Sequence, residues 1–282
     1  MINNNLFTTH HFTIDSKGKP FKIYLFGDVH RDAPNHSLPH WKRFCETAEK
    51  ENAYFIGMGD YLDMCSTSER RGFEAIGLHE STRETIEAMQ WSWINKFSDE
   101  IGFMKDRCIG LLEGNHFISF QNGTTSTQHI CQKLNCKYLG AVGYIALKIK
   151  LAGNTSMSYR IFVAHGRSGG RLLGTSLTQV YKLSEIANAN LYSLGHDHKA
   201  NGGKTARLDL TINKGVPRVS HVEQVFVRSG SFLRGYVENE PSYVAGALLN
   251  PATLGAPCVE ISPRVTVKNK KKEYSIETTI SI

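Results

Sequence analysis

Short apolar runs that break abruptly into polar pairs set the rhythm of this chain. "FKIYLFG" (21–27), "AYFIGMG" (53–59) and "RCIGLLE" (107–113) each read as a buried strand. Between the first two, "LPHWKRFCETAEKE" (38–51) places Trp41, Phe44, Cys45 and Ala48 at helical spacing. Between the second and third, "HESTRETIEAMQWSWINKF" opens on Ser81-x-x-Glu84, the spacing of a capping box. It continues with Ile86, Met89, Trp93 and Phe97 as a core-facing stripe, and Trp91 falls off that stripe toward solvent. Strand, helix, strand, helix, strand is the alternation of an α/β sheet.

The second half is richer in strands. Candidates are 142–151, 157–164, 190–194, 222–228, 258–262 and 273–281, with a helix predicted over 176–189. Period-two alternation in "YRIFVA" and "EYSIETTIS" suits sheets with one wetter face. The pattern predicts an α/β fold in which two mixed sheets stack between flanking helices, four layers in all. One domain spans 1–282, with a helical insert at about 64–106 and a strand-rich part at about 205–282. No Pro/Gly/Ser-rich linker divides it.

Composition adds three constraints. The chain has 282 residues, a formal net charge of +7 and a pI near 9.0. Residues 199–282 hold 12 Lys/Arg against 7 Asp/Glu, so most of the excess lies in the last third. Such a surface suits a polyanion, and equally a solubilising role. "VKNKKKEY" (267–274) reads as a polar turn between two strands. Six cysteines without a CxxC pair argue against a zinc ribbon or a disulfide framework and predict reduced thiols. No apolar stretch is long enough to span a bilayer and no secretory leader is evident, so a cytoplasmic location is expected.

The polar pairs carry the chemistry. Asp28 and His30 follow the first strand, Asp60 and Asp63 the second, and Asn115 and His116 the third; His165 and then His196 and His198 close two later strands. In open α/β sheets the carboxyl ends of strands converge on one crevice. Carboxylates, an amide and several imidazoles gathered there cannot be buried unpaired. Two divalent metal ions would neutralise them, and mixed His and carboxylate ligands suit Zn, Mn, Fe or Ni better than Ca or Mg. An Asp can bridge two such ions, which then serve an in-line displacement at phosphorus.

Asp28-x-His30, Gly59-Asp60-x-x-Asp63, Gly114-Asn115-His116, His165-Gly166 and Gly195-His196-x-His198, in that order, resemble the blocks of the calcineurin-like metallophosphoesterases. They span residues 27–198, about 60% of the chain. The resemblance implies that Asp28, His30 and His198 hold one metal, Asn115, His165 and His196 the other, and that Asp60 bridges. It implies a metal-bridging hydroxide as nucleophile, His116 as general acid or charge stabiliser, and Asp63 as the group that holds His116. Mn is the first choice of metal in vitro. Phe117 departs from the family, which commonly has an acidic residue there, and is expected to pack as a core or pocket wall. Met64 and Cys65 replace the Arg-Gly of the protein-phosphatase branch.

Weaker signals surround these blocks. His10, His11, His36, His40, His79, His129 and His221 lie outside them and read as ordinary histidines, with His79 placed to reach the crevice from a helix start. In "HGRSGGRLLG" (165–174) the glycines permit an anion-cradling loop, or simply a flexible connection. Arg31, Arg167, Arg171 and Arg234 are candidate phosphate clamps. Arg70, Arg71 and Trp91, in the insert, are candidate specificity residues. The expected activity is a dinuclear metal-dependent phosphodiesterase acting on nucleic acid or a nucleotide, the nuclease-like branch being closer at Gly195-His196-x-His198. The alternatives are a phosphomonoesterase acting on protein or nucleotide, a non-catalytic scaffold on the same fold, and a nucleic-acid binder stabilised by metals.

Overall fold

Strands buried on both faces read as continuous apolar runs, and β2 (Phe21–Phe26) shows why. Its Ile23 and Leu25 face a second sheet, while Tyr24 and Phe26 face helices. The computed structural model describes residues 9–64, 77, 79–167, 170, 172–213, 215–239, 242–268 and 271–282. Among these, one six-stranded sheet runs in the order β1 (Thr9–Asp15), β6 (Val142–Lys150), β7 (Ser156–Ala164), β8 (Leu191–Leu194), β10 (Val216–Ser229), β9 (Ala200–Asn213). The other runs β12 (Lys271–Ser281), β11 (Cys258–Lys268), β2, β3 (Tyr54–Gly57), β4 (Cys108–Leu112), β5 (Lys137–Gly140). Both are mixed: β2 to β5 are parallel and β11 and β12 antiparallel, while β7, β8 and β10 are parallel and β9 antiparallel.

Ile23, Leu25, Ile56, Ile145, Ile161 and Val259 fill the space between the sheets. Helices α1 (Leu38–Lys50), α2 (Glu80–Glu100) and α3 (Ser126–Leu134) cover the outer face of the β2 sheet over Phe26, Phe55 and Leu111. Helices α4 (Leu173–Tyr181) and α5 (Leu183–Ile186) cover the other sheet over Phe162 and Tyr192. The layers therefore run α, β, β, α, as the hydrophobic pattern predicts. Trp41 of α1 is fully buried and stacks on Phe97 of α2, centroids 5.8 Å apart, which ties the two helices together. Truncating such a residue costs about 3–5 kcal/mol.

Several local expectations are corrected. α2 begins at Glu80 with His79 as N-cap and no side-chain cap bond, so Ser81-x-x-Glu84 is not a capping box. The capping box is at Thr125 and Gln128, at the start of α3, which the pattern does not predict. The buried face of α2 runs through Gln90, Ile94 and Phe97, leaving Met89 58% exposed. Both tryptophans are partly buried against the core: Trp91, expected toward solvent, stacks on Phe120 at 4.6 Å, and Trp93 carries Lys96 over its ring. Aromatic packing across to α3 and its preceding loop outweighs the helix's own periodicity. The helix predicted over 176–189 begins at Leu173 and breaks at Lys182. β1, β5 and β9 are additional strands, and β10 and β11 run further than predicted. Arg70 and Arg71 lie outside the described residues.

Candidate metal centre

Five loops leave the carboxyl ends of β2, β3, β4, β7 and β8 and meet. Asp28, His30, Asp60, His196 and His198 have left-handed backbone, with φ of 46, 45, 51, 74 and 59°. These are five of the eleven non-glycine residues with positive φ among the described residues. Each such residue costs on the order of 1–3 kcal/mol and persists only where neighbours over-determine it. Here they do. Asp28 N–H donates to the Gly59 carbonyl (2.9 Å), and the amides of Val29 and His30 both donate to the Asp60 carbonyl (2.8 and 3.1 Å). His196 N–H donates to Asp28 Oδ2 (2.9 Å), and Phe232 N–H to the Asp28 carbonyl (3.1 Å). At Gly114 a Cβ would lie 1.9 Å from Asp60 Oδ1. Glycine there lets the β4 loop close on Asp60, and His116 N–H then donates to the same Oδ1 at 2.8 Å.

The side chains fall into overlapping groups. Asp28, His30 and His198 bring one donor atom each within 4.8 Å of one another, and so do Asp60, His165 and His196. A third group, His30, Asp63 and His116, shares His30 with the first. Asn115 Oδ1 lies 2.8 Å from both His165 Nε2 and His196 Nδ1. Asp63 Oδ1 is 2.7 Å from His30 Nδ1 and 3.1 Å from His116 Nδ1, whose proton also reaches the Asp63 carbonyl at 3.0 Å.

Proton positions make the case for a cation. His165 Nδ1 is 2.8 Å from the Met58 carbonyl, which only accepts, so Nδ1 carries the proton. In a neutral ring Nε2 is then a lone pair, aimed at Asp60 Oδ2 (3.2 Å) and Asn115 Oδ1 (2.8 Å). His30 repeats the arrangement: Nδ1 serves Asp63, while Nε2 is buried with no hydrogen-bond partner among the described residues. Asp28 Oδ1 is likewise buried and unpartnered, with His198 Nε2 3.5 Å away. Converging lone pairs of this kind are costly unless a proton or a metal ion sits among them. Two imidazoles plus a carboxylate in each group suit a borderline divalent metal, so the residues fit the expected ions.

The titration behaviour has the same origin. Burial pushes Asp28 up to about 6. Burial would also raise Asp60, but His165, then His30 and His116, pull it below the usual carboxylate range. Hydrogen bonds from His116 and His30 hold Asp63 low. Burial works against protonation of His116 and His165, yet Asp63 and Asp60 outweigh it and bring both to about 9. His198 is lowered to about 3 by burial and by His30, and His196 is lowered by burial and by His165. Protons on His165 and His116 can thus offset the charge of Asp60 and Asp63.

The candidate phosphate clamps fare differently from the metal-facing set. Arg31 grips Glu100 through both Nε and Nη2, at 2.7 and 2.8 Å. Arg167 is exposed, Arg171 lies outside the described residues, and the exposed Arg234 donates its amide (3.0 Å) and Nε (3.4 Å) to the Asn35 carbonyl. Phe117 is partly buried. His79 caps α2 and is exposed.

Two supporting residues carry no signal in the sequence pattern. Asp32 accepts the amide protons of Asp63 and Met64 (3.2 Å for the latter) and so fixes the loop that presents Asp63. Arg228, fully buried at the end of β10, donates to the carbonyls of Gly195 (2.7 Å) and Ser176 (3.1 Å) and faces Asp197 Oδ2 at 3.5 Å. It thereby holds the loop that bears His196 and His198. Beside Asp63, a cavity of about 260 Å³ is lined by Asp32, Met64, Met89, Gln90 and Trp93.

No protein-family model matches the chain, and no curated protein does. Among solved structures, vacuolar protein sorting 29 from Cryptosporidium parvum aligns at 11% identity and TM-score 0.34, covering 93% of this chain and 100% of its own. The calcineurin-like phosphoesterase YfkN from Bacillus subtilis aligns at 9% identity and TM-score 0.34, covering 93% and 90%. Likeness at that level carries no weight for activity, ligands or substrate, which rest on the side chains of the site.

Proposed function

We propose that this chain is a dinuclear metal-dependent phosphoesterase of the calcineurin-like kind, hydrolysing a phosphodiester. The observation that carries the reading is the pair of donor groups, Asp28/His30/His198 and Asp60/His165/His196, in the first of which Asp28 Oδ1 and His30 Nε2 are buried without a hydrogen bond. Asp28, His30 and His198 would hold one ion, Asn115, His165 and His196 the other, with Asp60 serving both. When bound, two divalent ions supply Lewis acidity to the phosphate and make water acidic near neutral pH.

The chain's own residues do the rest. With His116 Nδ1 committed to Asp63, its Nε2 is the edge left to meet a substrate. Raised to about 9, the ring is protonated at neutral pH and can give a proton to the departing oxygen. Asp63 holds the tautomer and orientation of both His116 and His30. Arg31, next in sequence to His30, is committed to Glu100, which fits a singly charged diester better than a doubly charged monoester. The basic last third supports nucleic acid or a nucleotide as the substrate class.

Equilibrium dialysis against Mn²⁺ should give two tight ions per chain. The loaded protein should hydrolyse bis-p-nitrophenyl phosphate faster than p-nitrophenyl phosphate. Unchanged metal content after Asp60→Asn with His196→Ala would sink the proposal. Metal binding without turnover of either ester, or of DNA, RNA and cyclic dinucleotides, would favour the non-catalytic scaffold.

A further inference from the structure

β9 and β10 are fourteen residues each, yet β8 lies beside β10 only from Val225 to Arg228. Residues 216–224 therefore run on for about 30 Å as part of a two-stranded ribbon, at ~3.3 Å per residue. Such a ribbon, uncovered, is marginal in water. This one is strongly two-faced, because side chains alternate across a strand. Leu208, Leu210 and Ile212 are 75, 62 and 71% exposed, and Val219, paired with Leu210, is 63% exposed. All four lie on the face that further along carries Val225 and Val227 into the core between the sheets. Arg207, Asp209 and Arg218 occupy the opposite face.

The other sheet sends out a matching ribbon at the same end. β11 leaves β2 after the Ile261–Phe21 pair and continues with β12 to Lys268. Val265, Val267 and Tyr274 are 48, 70 and 40% exposed, on the face that continues Val259 and Ile261 of the core. Lys272, across from Val267, marks the rim. Both ribbons project from the amino ends of β2 and β8, away from the histidines and aspartates.

We infer that these two apolar ribbon faces form the contact between two copies of this chain. At roughly 150–200 Å² per large side chain, the seven residues expose on the order of 700 Å². A stable interface of standard size covers about 800 Å² per partner. A two-fold pairing sets the same patch on both copies, so aliphatic meets aliphatic, and the arginines of β9 and β10 remain in solvent. Arg207 and Arg218 point from the other face, so the exposed part of this one is mainly aliphatic, with Lys272 across from Val267 as its exposed cation. Pairing at this end leaves both metal centres open.

Sedimentation velocity of the full chain from 1 to 100 µM, with parallel co-sedimentation on phosphatidylcholine/phosphatidylglycerol vesicles, tests the inference. The expected species has twice the 31.5 kDa chain mass and stays off the vesicles. Leu210→Asp with Ile212→Asp should shift it to a single chain, with far-UV circular dichroism and Tm retained because both side chains are exposed. Thr211→Asp, on the opposite face, should leave the dimer intact. A wild-type monomer at 100 µM overturns the inference whatever the variants do, and so does a monomer that binds vesicles. A dimer that survives the double substitution, or is lost with Thr211→Asp, overturns it as well.

Discussion

His165 Nδ1 lies 2.8 Å from the carbonyl oxygen of Met58, and that one bond fixes which face of the imidazole is available to the rest of the site. The carbonyl accepts the hydrogen bond of Nδ1–H, so Nε2 is the atom left to take a second proton or a metal ion. Proton and metal therefore compete for a single atom.

Metal binding should release that proton. His165 is raised to about 9, so titration with Mn²⁺ at pH 7.5 should liberate about one proton from this ring, and none above pH 10. Calorimetry in two buffers of different ionisation enthalpy reads the number. The raised value also means that the chelated protein draws stability from this group below pH 6.5 and loses it as pH rises through about 9. Its Tm should fall by a few degrees between pH 7 and 10. The metal-loaded protein should show a smaller fall.

Asp63→Asn should act through two histidines at once. It removes the carboxylate that holds His116 at about 9, so the alkaline limb of the pH–rate profile should move toward the ordinary histidine range. It also frees His30 Nδ1, and loss of such a support weakens metal affinity by about 10–100-fold. Turnover at saturating metal should fall about 100-fold while KM changes little. An unchanged alkaline limb would remove His116 from its proposed role.

Arg228→Met should destabilise the fold and loosen one metal together. It takes the guanidinium from the Asp197 carboxylate, whose side chain is 3% exposed and keeps Ser176 Oγ and the Lys199 amide as donors, and it removes one of the two donors to the Gly195 carbonyl. Breaking a buried pair from one side costs about 3–5 kcal/mol. Thermal denaturation should show the loss, and metal analysis should show weaker retention than for a surface control such as Arg264→Met, whose partner Glu277 is exposed.

Cys136 should alkylate before the other described cysteines. The neighbouring thiols of Cys108 and Cys131 pull it below the ordinary thiol range, and it is partly exposed. Burial pushes Cys45 and Cys258 up to about 12. Iodoacetamide labelling followed by peptide mapping should therefore show Cys136 still reacting at pH 6. Cys131→Ser should slow it there.

The cluster of Asp, Asn and His was legible because four of its five loops obey a chain-level rule, apolar strand, glycine, then Asp, Asn or His, and the fifth differs only in having Ala164 before His165. That rule survives folding, since the carboxyl ends of parallel strands share an edge. The supporting groups do not follow from it. Arg228 is simply the last basic residue of "VEQVFVR", and only the return of β10 beside β8 brings it under Gly195. Trp91 lies off the stripe that the helix pattern predicts, and Phe120 and His129 supply the packing that covers it. Ser81-x-x-Glu84 and Thr125-x-x-Gln128 have equivalent spacing, yet only the second starts its helix at the right residue. Arg31 looked like a clamp because it adjoins His30, and Glu100, 69 residues away, takes its fork. The long ribbons were half hidden, since alternation in "RLDLTI" follows an Asn-Gly-Gly that reads as a turn.

The left-handed backbone at Asp28, His30, Asp60, His196 and His198 sets this protein's chemistry against its durability. Glycine adopts that conformation freely, whereas these side chains hold it under strain. A substitution such as His198→Gly, at a partly exposed position, should therefore relax the backbone while it removes a proposed ligand. Glycine or asparagine at these five positions would relieve the backbone and gain thermal resilience, at the cost of the side chains that the proposed ions need.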